Sequence, residues 1–155
     1  MTLLAAEKDF THARDALSER RRKMPWVKVE TDYVFDSPEG PVSLARLFAG
    51  RSQLIVYHLM FAPEWEWACK SCSFWADHFD GAIPHLNARD TSLVAISRAP
   101  VEKLQRQAKR LGWAFPWVSS GRTTFNYDFA VSFENPEDPE TVYNYAKSAV
   151  PHPDM

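Results

Sequence analysis

Between Gln53 and Gly112 the chain twice alternates a buried-strand pattern with an amphipathic-helix pattern, and this alternation leaves few folds open. Gln53 to Phe61 is rich in Leu, Ile, Val and Tyr, as a strand covered on both faces requires, and is expected to form the central parallel strand. A helix is predicted from about Cys72 to Asn87, with Trp75, Phe79, Ala82, Ile83 and Leu86 on one face. Pro84 removes a backbone donor inside it, which predicts a kink near Asp80 to Gly81. Ser92 to Ser97 reads as a second buried strand. Pro100 then opens a helix that aligns Val101, Leu104, Ala108 and Leu111 and stops at Gly112. Two strand-helix units in succession imply right-handed crossovers and a parallel sheet core, and hence an α/β fold.

The flanking segments are simpler. Leu3 to Lys23 lacks Gly and Pro and places Leu4, Phe10, Ala13 and Leu17 at mainly helical spacings. Its Arg20-Arg21-Arg22-Lys23 run suits the negative end of a helix dipole, with an interaction patch as the alternative. Val27 to Phe35 is expected to be an edge strand, and Asp36 to Gly40 is turn chemistry, so the two read as an opening hairpin. Ser43 to Phe48 reads as a short helix. Phe115 to Val118 and Phe125 to Phe133 are aromatic, and Glu134 to Glu140 is acidic. A length of 155 residues suits one domain. We expect a helix over 1–23, an α/β core over 24–133, and an acidic loop and tail over 134–155.

Composition narrows the partners. The formal charge of -2 balances 18 basic against 20 acidic side chains, so no overall field points to nucleic acid or to an anionic membrane. Glu7, Lys8 and Asp9 interrupt the apolar stretch that a secretory signal needs. The run Leu54 to Ala62, broken by His58, is far short of the roughly 20 residues that cross a bilayer. A soluble, cytoplasmic protein is expected. In that compartment a close cysteine pair is more often redox-active or metal-binding than a structural staple. The chain has two cysteines, Cys69 and Cys72.

In α/β sheets, chemistry gathers beyond the carboxyl ends of the strands, where the next helix begins. Cys69-Lys70-Ser71-Cys72 falls at that kind of place, and two intervening residues let one sulfur reach the other. Free helix N–H groups and the Lys70 cation favour thiolate over thiol. Cys69, nearer the exposed Trp65 and Trp67, is the expected attacking thiolate, with Cys72 as the resolving thiol. Two packed, reduced cysteines are the alternative. Metal binding would need His78 and His85. These lie seven residues apart, roughly 10 Å along a helix, and His78 is turned roughly 240° from Cys72. No metal and no cofactor are expected.

Around the pair, Trp65, Trp67, Lys70 and Ser71 are the candidate substrate-binding residues, although the two tryptophans equally suit a cover for the end of the sheet. His58 is a candidate proton acceptor or, alternatively, a hydrogen-bonded interior histidine. Asp77 is a second candidate acceptor, or a solvated helix residue. Glycine-rich phosphate loops, nucleophile elbows and H-E-x-x-H are absent from the sequence.

The blocks Met24-Pro25-Trp26-Val27, Gln53 to His58, Cys69 to His78 and Phe115-Pro116-Trp117-Val118-Ser119-Ser120 resemble those of a bacterial and fungal family of unknown function. Its members are usually described as predicted dithiol-disulfide oxidoreductases with a thioredoxin-like fold. The resemblance runs from the N-terminal helix to about Tyr145. It implies a thiol-disulfide oxidoreductase acting on a protein or small-molecule thiol or disulfide. A looser likeness to peroxiredoxins rests on Leu93 to Ser97, the following helix and Phe115-Pro116. It implies peroxide reduction as an alternative and a peroxiredoxin-like variant of the fold. The residues seven and three before Cys72 are Trp65 and Cys69, not the Pro and the Thr or Ser of peroxiredoxins. A non-catalytic binding scaffold is the reading from another class. A thioredoxin-like sheet normally closes with a C-terminal hairpin, which is missing after Phe133, so the expectation is either truncation after Met155 or a sheet edge completed by another chain. The apolar face of the N-terminal helix suggests a homodimer.

Overall fold

The computed structural model describes residues 2–150. The chain divides into two units, Met1–Thr31 and Asp32–Met155. The first is built on α1 (Leu3–Arg22), which has Arg20, Arg21 and Arg22 in its last turn. The Lys23 N–H returns to the carbonyls of Arg20 and Arg21, and the Lys23 ammonium lies 2.7 Å from Glu19 one turn back. The boundary between the two units falls between Thr31 and Asp32.

The second unit is a mixed α/β structure. A hairpin, β1 (Val34–Ser37) and β2 (Gly40–Ser43), leads into α2 (Leu44–Leu47), capped by the Ser43 hydroxyl, which accepts from the Arg46 N–H at 3.4 Å. Then follow β3 (Gln53–His58), α3 (Lys70–Ala76), α4 (Phe79–Asn87), β4 (Thr91–Ser97), α5 (Val101–Leu111), β5 (Trp117–Ser119) and α6 (Phe125–Asp128). Gly112 ends α5 in the left-handed region at φ 73, where a residue without Cβ carries no steric penalty. A two-stranded ribbon, β6 (Val142–Tyr143) and β7 (Ala146–Lys147), stands in a sheet of its own.

The main sheet has the order β2-β1-β5-β4-β3. β3 and β4 run parallel from Gln53 opposite Thr91 to His58 opposite Ile96, β4 and β5 are parallel, and β1 is antiparallel to both β5 and β2. The parallel crossovers expected from the sequence are therefore present. Three expectations need correction. β3 is an edge strand, not the central one, and Ile55 on it is 43% exposed; β4, buried along its whole length, lies inside. The sheet reaches five strands without a C-terminal hairpin on β3, because it grows on the β4 side through β5 and the opening hairpin. That hairpin begins at Val34, and Val27, expected in a strand, is 88% exposed.

The helix predicted as one kinked rod is two. α3 stops at Ala76 and α4 starts at Phe79, upstream of the kink expected from Pro84. Both acidic residues at the break are drawn outward: Asp77 accepts from the Trp113 indole at 2.7 Å and Asp80 from the Ala114 N–H at 2.9 Å. The His78 ring nitrogen lies 3.0 Å from the Phe74 carbonyl and takes the acceptor that the next α-helical N–H would need.

Strand alternation divides the core between the two faces of the sheet. One cluster joins Leu59, Phe61, Ala95, Leu104, Trp113 and Trp117, with Tyr57, Cys72 and Phe79 packed against it. The other joins Tyr33, Phe35, Val94, Ile96, Val118 and Phe125, with Leu54 and Val56.

Candidate active site around the cysteine pair

The chain that leaves β3 is held to β4 beyond the strand itself. The Leu59 N–H donates to the Ile96 carbonyl at 3.0 Å, the Ser97 hydroxyl to the Leu59 carbonyl at 2.6 Å, and the Ala99 N–H to the Phe61 carbonyl at 2.8 Å. The Ser97 hydroxyl also accepts from the buried Trp117 indole at 2.9 Å, so this one side chain ties three elements at the carboxyl end of the sheet. Next comes a loop fixed from α5: the Lys103 ammonium donates to the carbonyls of Pro63 at 2.6 Å and Trp65 at 2.7 Å. The Cys69 N–H then returns to the Met60 carbonyl at 2.9 Å, which aims the chain into α3.

Cys69 is the residue that precedes α3, and its carbonyl accepts from both the N–H and the hydroxyl of Ser73 at 2.9 Å. Cys72 lies within the first turn of α3 rather than at its start. The two are near each other, half-buried and not joined by a disulfide. Burial is the main cause that pushes the Cys72 thiol up, and the neighbouring Cys69 adds to it; the Met60 backbone and the Tyr57 hydroxyl pull it back. The Tyr57 phenol is itself pushed up to about 12, by burial first and then by Cys72. It donates to the Cys72 carbonyl at 3.3 Å, and its ring stands edge-on to Phe79 with centroids 4.8 Å apart.

The other predicted residues separate into groups. Trp65 is half-buried against the core cluster that carries Cys72. Trp67 is 44% exposed and lies under the Arg110 guanidinium, 4.3 Å from ring centroid to charge. Lys70 and Ser71 are exposed on the first turn of α3. His58 is on the other face of the sheet: its ring stacks on Phe125 at 5.5 Å, among the residues of the second cluster. Adjacent strand residues point to opposite faces, so Tyr57, not His58, meets the cysteines. Asp77 is engaged by Trp113 and ties α3 to the end of α5, a structural use of the carboxylate. Tyr57, Lys103 and Arg110 were not singled out from the sequence. Of these only Tyr57 had a signal, its alternation with His58 in β3.

A cavity of about 520 Å³ opens nearby, at the carboxyl ends of β4 and β5, lined by Arg98, Glu102, Ser119 and Arg122 among others. Its Pro63 wall is the loop that leads to the cysteines, but neither cysteine lines it. Arg122 pairs with Asp36 across this cavity. Among the described residues no group of three His, Cys, Asp or Glu side chains is placed to hold a metal ion, and no helix is long and apolar enough to cross a membrane.

A strand-loop-helix unit with a cysteine pair at its turn, on a mixed five-stranded sheet, is the class of structure defined here. The chain belongs to the family described as bacterial protein of unknown function (DUF899), which it matches over residues 1–152. No curated protein matches it. Among solved structures it is similar to a hypothetical protein from Sinorhizobium meliloti 1021, with 15% identity, a TM-score of 0.50, and 69% of this chain and 60% of that one covered. It is also similar to a "putative protein disulfide isomerase" from Bacteroides thetaiotaomicron, with 22% identity, a TM-score of 0.43, and 63% and 58% covered. The chain thus spans about three fifths of the length of these two structures, 60% and 58%.

Proposed function

We propose that this chain is a thiol-disulfide oxidoreductase with a thioredoxin-like core, and that Cys69 and Cys72 cycle between dithiol and disulfide. The observation that supports this reading is the placement of the pair. Cys69 precedes α3 at the carboxyl end of a parallel β3-α-β4 unit, and Cys72 follows within one turn, half-buried beside it. Ligands of open α/β sheets meet the protein at that end.

The positions of the two sulfurs support separate roles for them. Cys69, which precedes α3, is the attacking thiol, and burial raises the Cys72 thiol, which suits the resolving group. Cys69 attacks one sulfur of a substrate disulfide and the other sulfur departs as a thiolate. Cys72 then attacks the Cys69 sulfur, forms the internal disulfide and releases the second substrate thiolate. Two electrons pass from the pair to the substrate, and the two thiol protons pass through solvent to the released thiolates. Trp65, Trp67, Lys70 and Ser71 form the surface that the substrate meets. Peroxide reduction led by Cys72 fits less well, since burial raises its thiol.

The test is capture. Cys72→Ser, incubated with a small aromatic disulfide, is expected to accumulate a mixed disulfide on Cys69, while Cys69→Ser does not at neutral pH. Rapid modification of Cys69→Ser and inertness of Cys72→Ser would reverse the roles and favour the peroxidase-like reading. Inertness of both would favour a binding scaffold.

A further inference from the structure

Resolution requires the Cys72 thiolate, yet Cys72 is half-buried, and burial disfavours its charged form. One polar side chain from another element reaches this residue. Tyr57 lies on β3, on the face that carries the cysteine-bearing core cluster. Its hydroxyl donates to the Cys72 carbonyl at 3.3 Å, near the outer limit for an O–H donor and therefore easily given up. Tyr57 and Cys72 pack against the same core cluster, which keeps this hydroxyl beside the residue that resolves the mixed disulfide. The ring cannot swing away freely, since Phe79 meets it edge-on at 4.8 Å and both rings pack against the core.

We propose that Tyr57 is the hydrogen-bond donor that stabilises the Cys72 thiolate during resolution, moving its O–H from the Cys72 carbonyl to the Cys72 sulfur as the proton leaves. This rests on the dithiol reading above and adds to it the residue that makes the buried sulfur usable. The phenol keeps its own proton throughout, being pushed up to about 12, so it acts as a donor and not as the base; the Cys72 proton goes to water. Resolution itself is unchanged in its balance: the Cys72–Cys69 S–S bond forms as the Cys69–substrate S–S bond breaks, and the substrate leaves as a thiolate. In the reverse direction the same O–H stabilises Cys72 as the leaving group when an incoming thiolate attacks Cys69.

The experiment is a thiol titration in the Cys69→Ser chain, where Cys72 is the sole cysteine. The rate of iodoacetamide alkylation against pH reads the Cys72 thiolate directly. Adding Tyr57→Phe, which keeps the ring against Phe79, is expected to move the profile up by about one pH unit, or about tenfold less thiolate at neutral pH, as loss of a charge-assisted hydrogen bond predicts. Site-specific 3-fluorotyrosine at position 57, a stronger donor of nearly the same shape, is expected to move it down. An unmoved profile in folded Tyr57→Phe overturns the proposal; if that variant does not fold, an unmoved or raised profile with fluorotyrosine overturns it. Because this chain cannot form an internal disulfide, the outcome does not depend on whether the native pair cycles. Failure of the dithiol reading would show separately, as a native pair that does not oxidise.

Discussion

The Trp113 indole N–H donates to the Asp77 carboxylate at 2.7 Å, and this bond joins the gap between α3 and α4 to the loop after α5. Trp113 is 9% exposed, whereas Asp77 is exposed, so the two ends of the bond do not depend on it equally. Asp77→Ala leaves a buried N–H without an acceptor and is expected to cost about 1–3 kcal/mol; Asp77→Asn keeps an acceptor and is expected to cost less. Urea unfolding measures both. If Asp77 served the thiols as a proton acceptor, Asp77→Asn would shift the pH profile of cysteine alkylation. The expected result is no shift.

Ser97 offers a second test of how the site is held. Its hydroxyl donates to the Leu59 carbonyl and accepts from the Trp117 indole, all within the buried core. Ser97→Ala removes the acceptor and strands the indole N–H, for an expected loss of about 1–3 kcal/mol. Since Leu59 begins the path to Cys69, cysteine alkylation in folded Ser97→Ala is expected to become faster as the loop loosens. Unchanged stability would show that the indole finds another partner.

His58 gives the protein an acid sensitivity. Burial lowers its pKa below the ordinary 6.5, and its Nδ1 has no hydrogen-bond partner among the described residues. The folded state therefore holds the ring neutral while the unfolded chain takes up a proton near pH 6.5, so the unfolded state binds more protons as pH falls. Stability is expected to decline from about pH 6.5 downward, until the folded-state pKa is passed. His58→Phe, which keeps a ring against Phe125, removes this slope. Urea midpoints at pH 7.5 and 5.5 check it: the native protein falls between them, and the variant falls less.

The sequence made the crossovers legible because helical and strand periodicities differ in the segments that build them. Leu104 and Ala108 on α5, and Val94 and Ile96 on β4, pack as their spacing implies. The position of β3 was not legible. An uncharged run such as Gln53 to His58 reads as buried on both faces, yet strand order is set by non-local pairing that no local pattern encodes. The cysteine pair was visible from its spacing and its place after a strand. Its surroundings were only partly so: Lys103 and Arg110 reach the loop from a helix more than thirty residues downstream of it, and the contacts exist only once α5 packs. His58 and Tyr57 differ by one position. In a strand that exchanges the face, and with it the role.

The reduction potential of the Cys69–Cys72 pair, measured by equilibrating the native chain in graded dithiol-disulfide buffers and trapping free thiols, decides whether the two sulfurs cycle as a dithiol and a disulfide. The expected result is one reversible two-electron transition, within the range of roughly -180 to -300 mV spanned by thiol-disulfide oxidoreductases and cytosolic couples. A pair that stays reduced at every potential, or that oxidises only between chains, would contradict the claim that these two sulfurs form a redox centre.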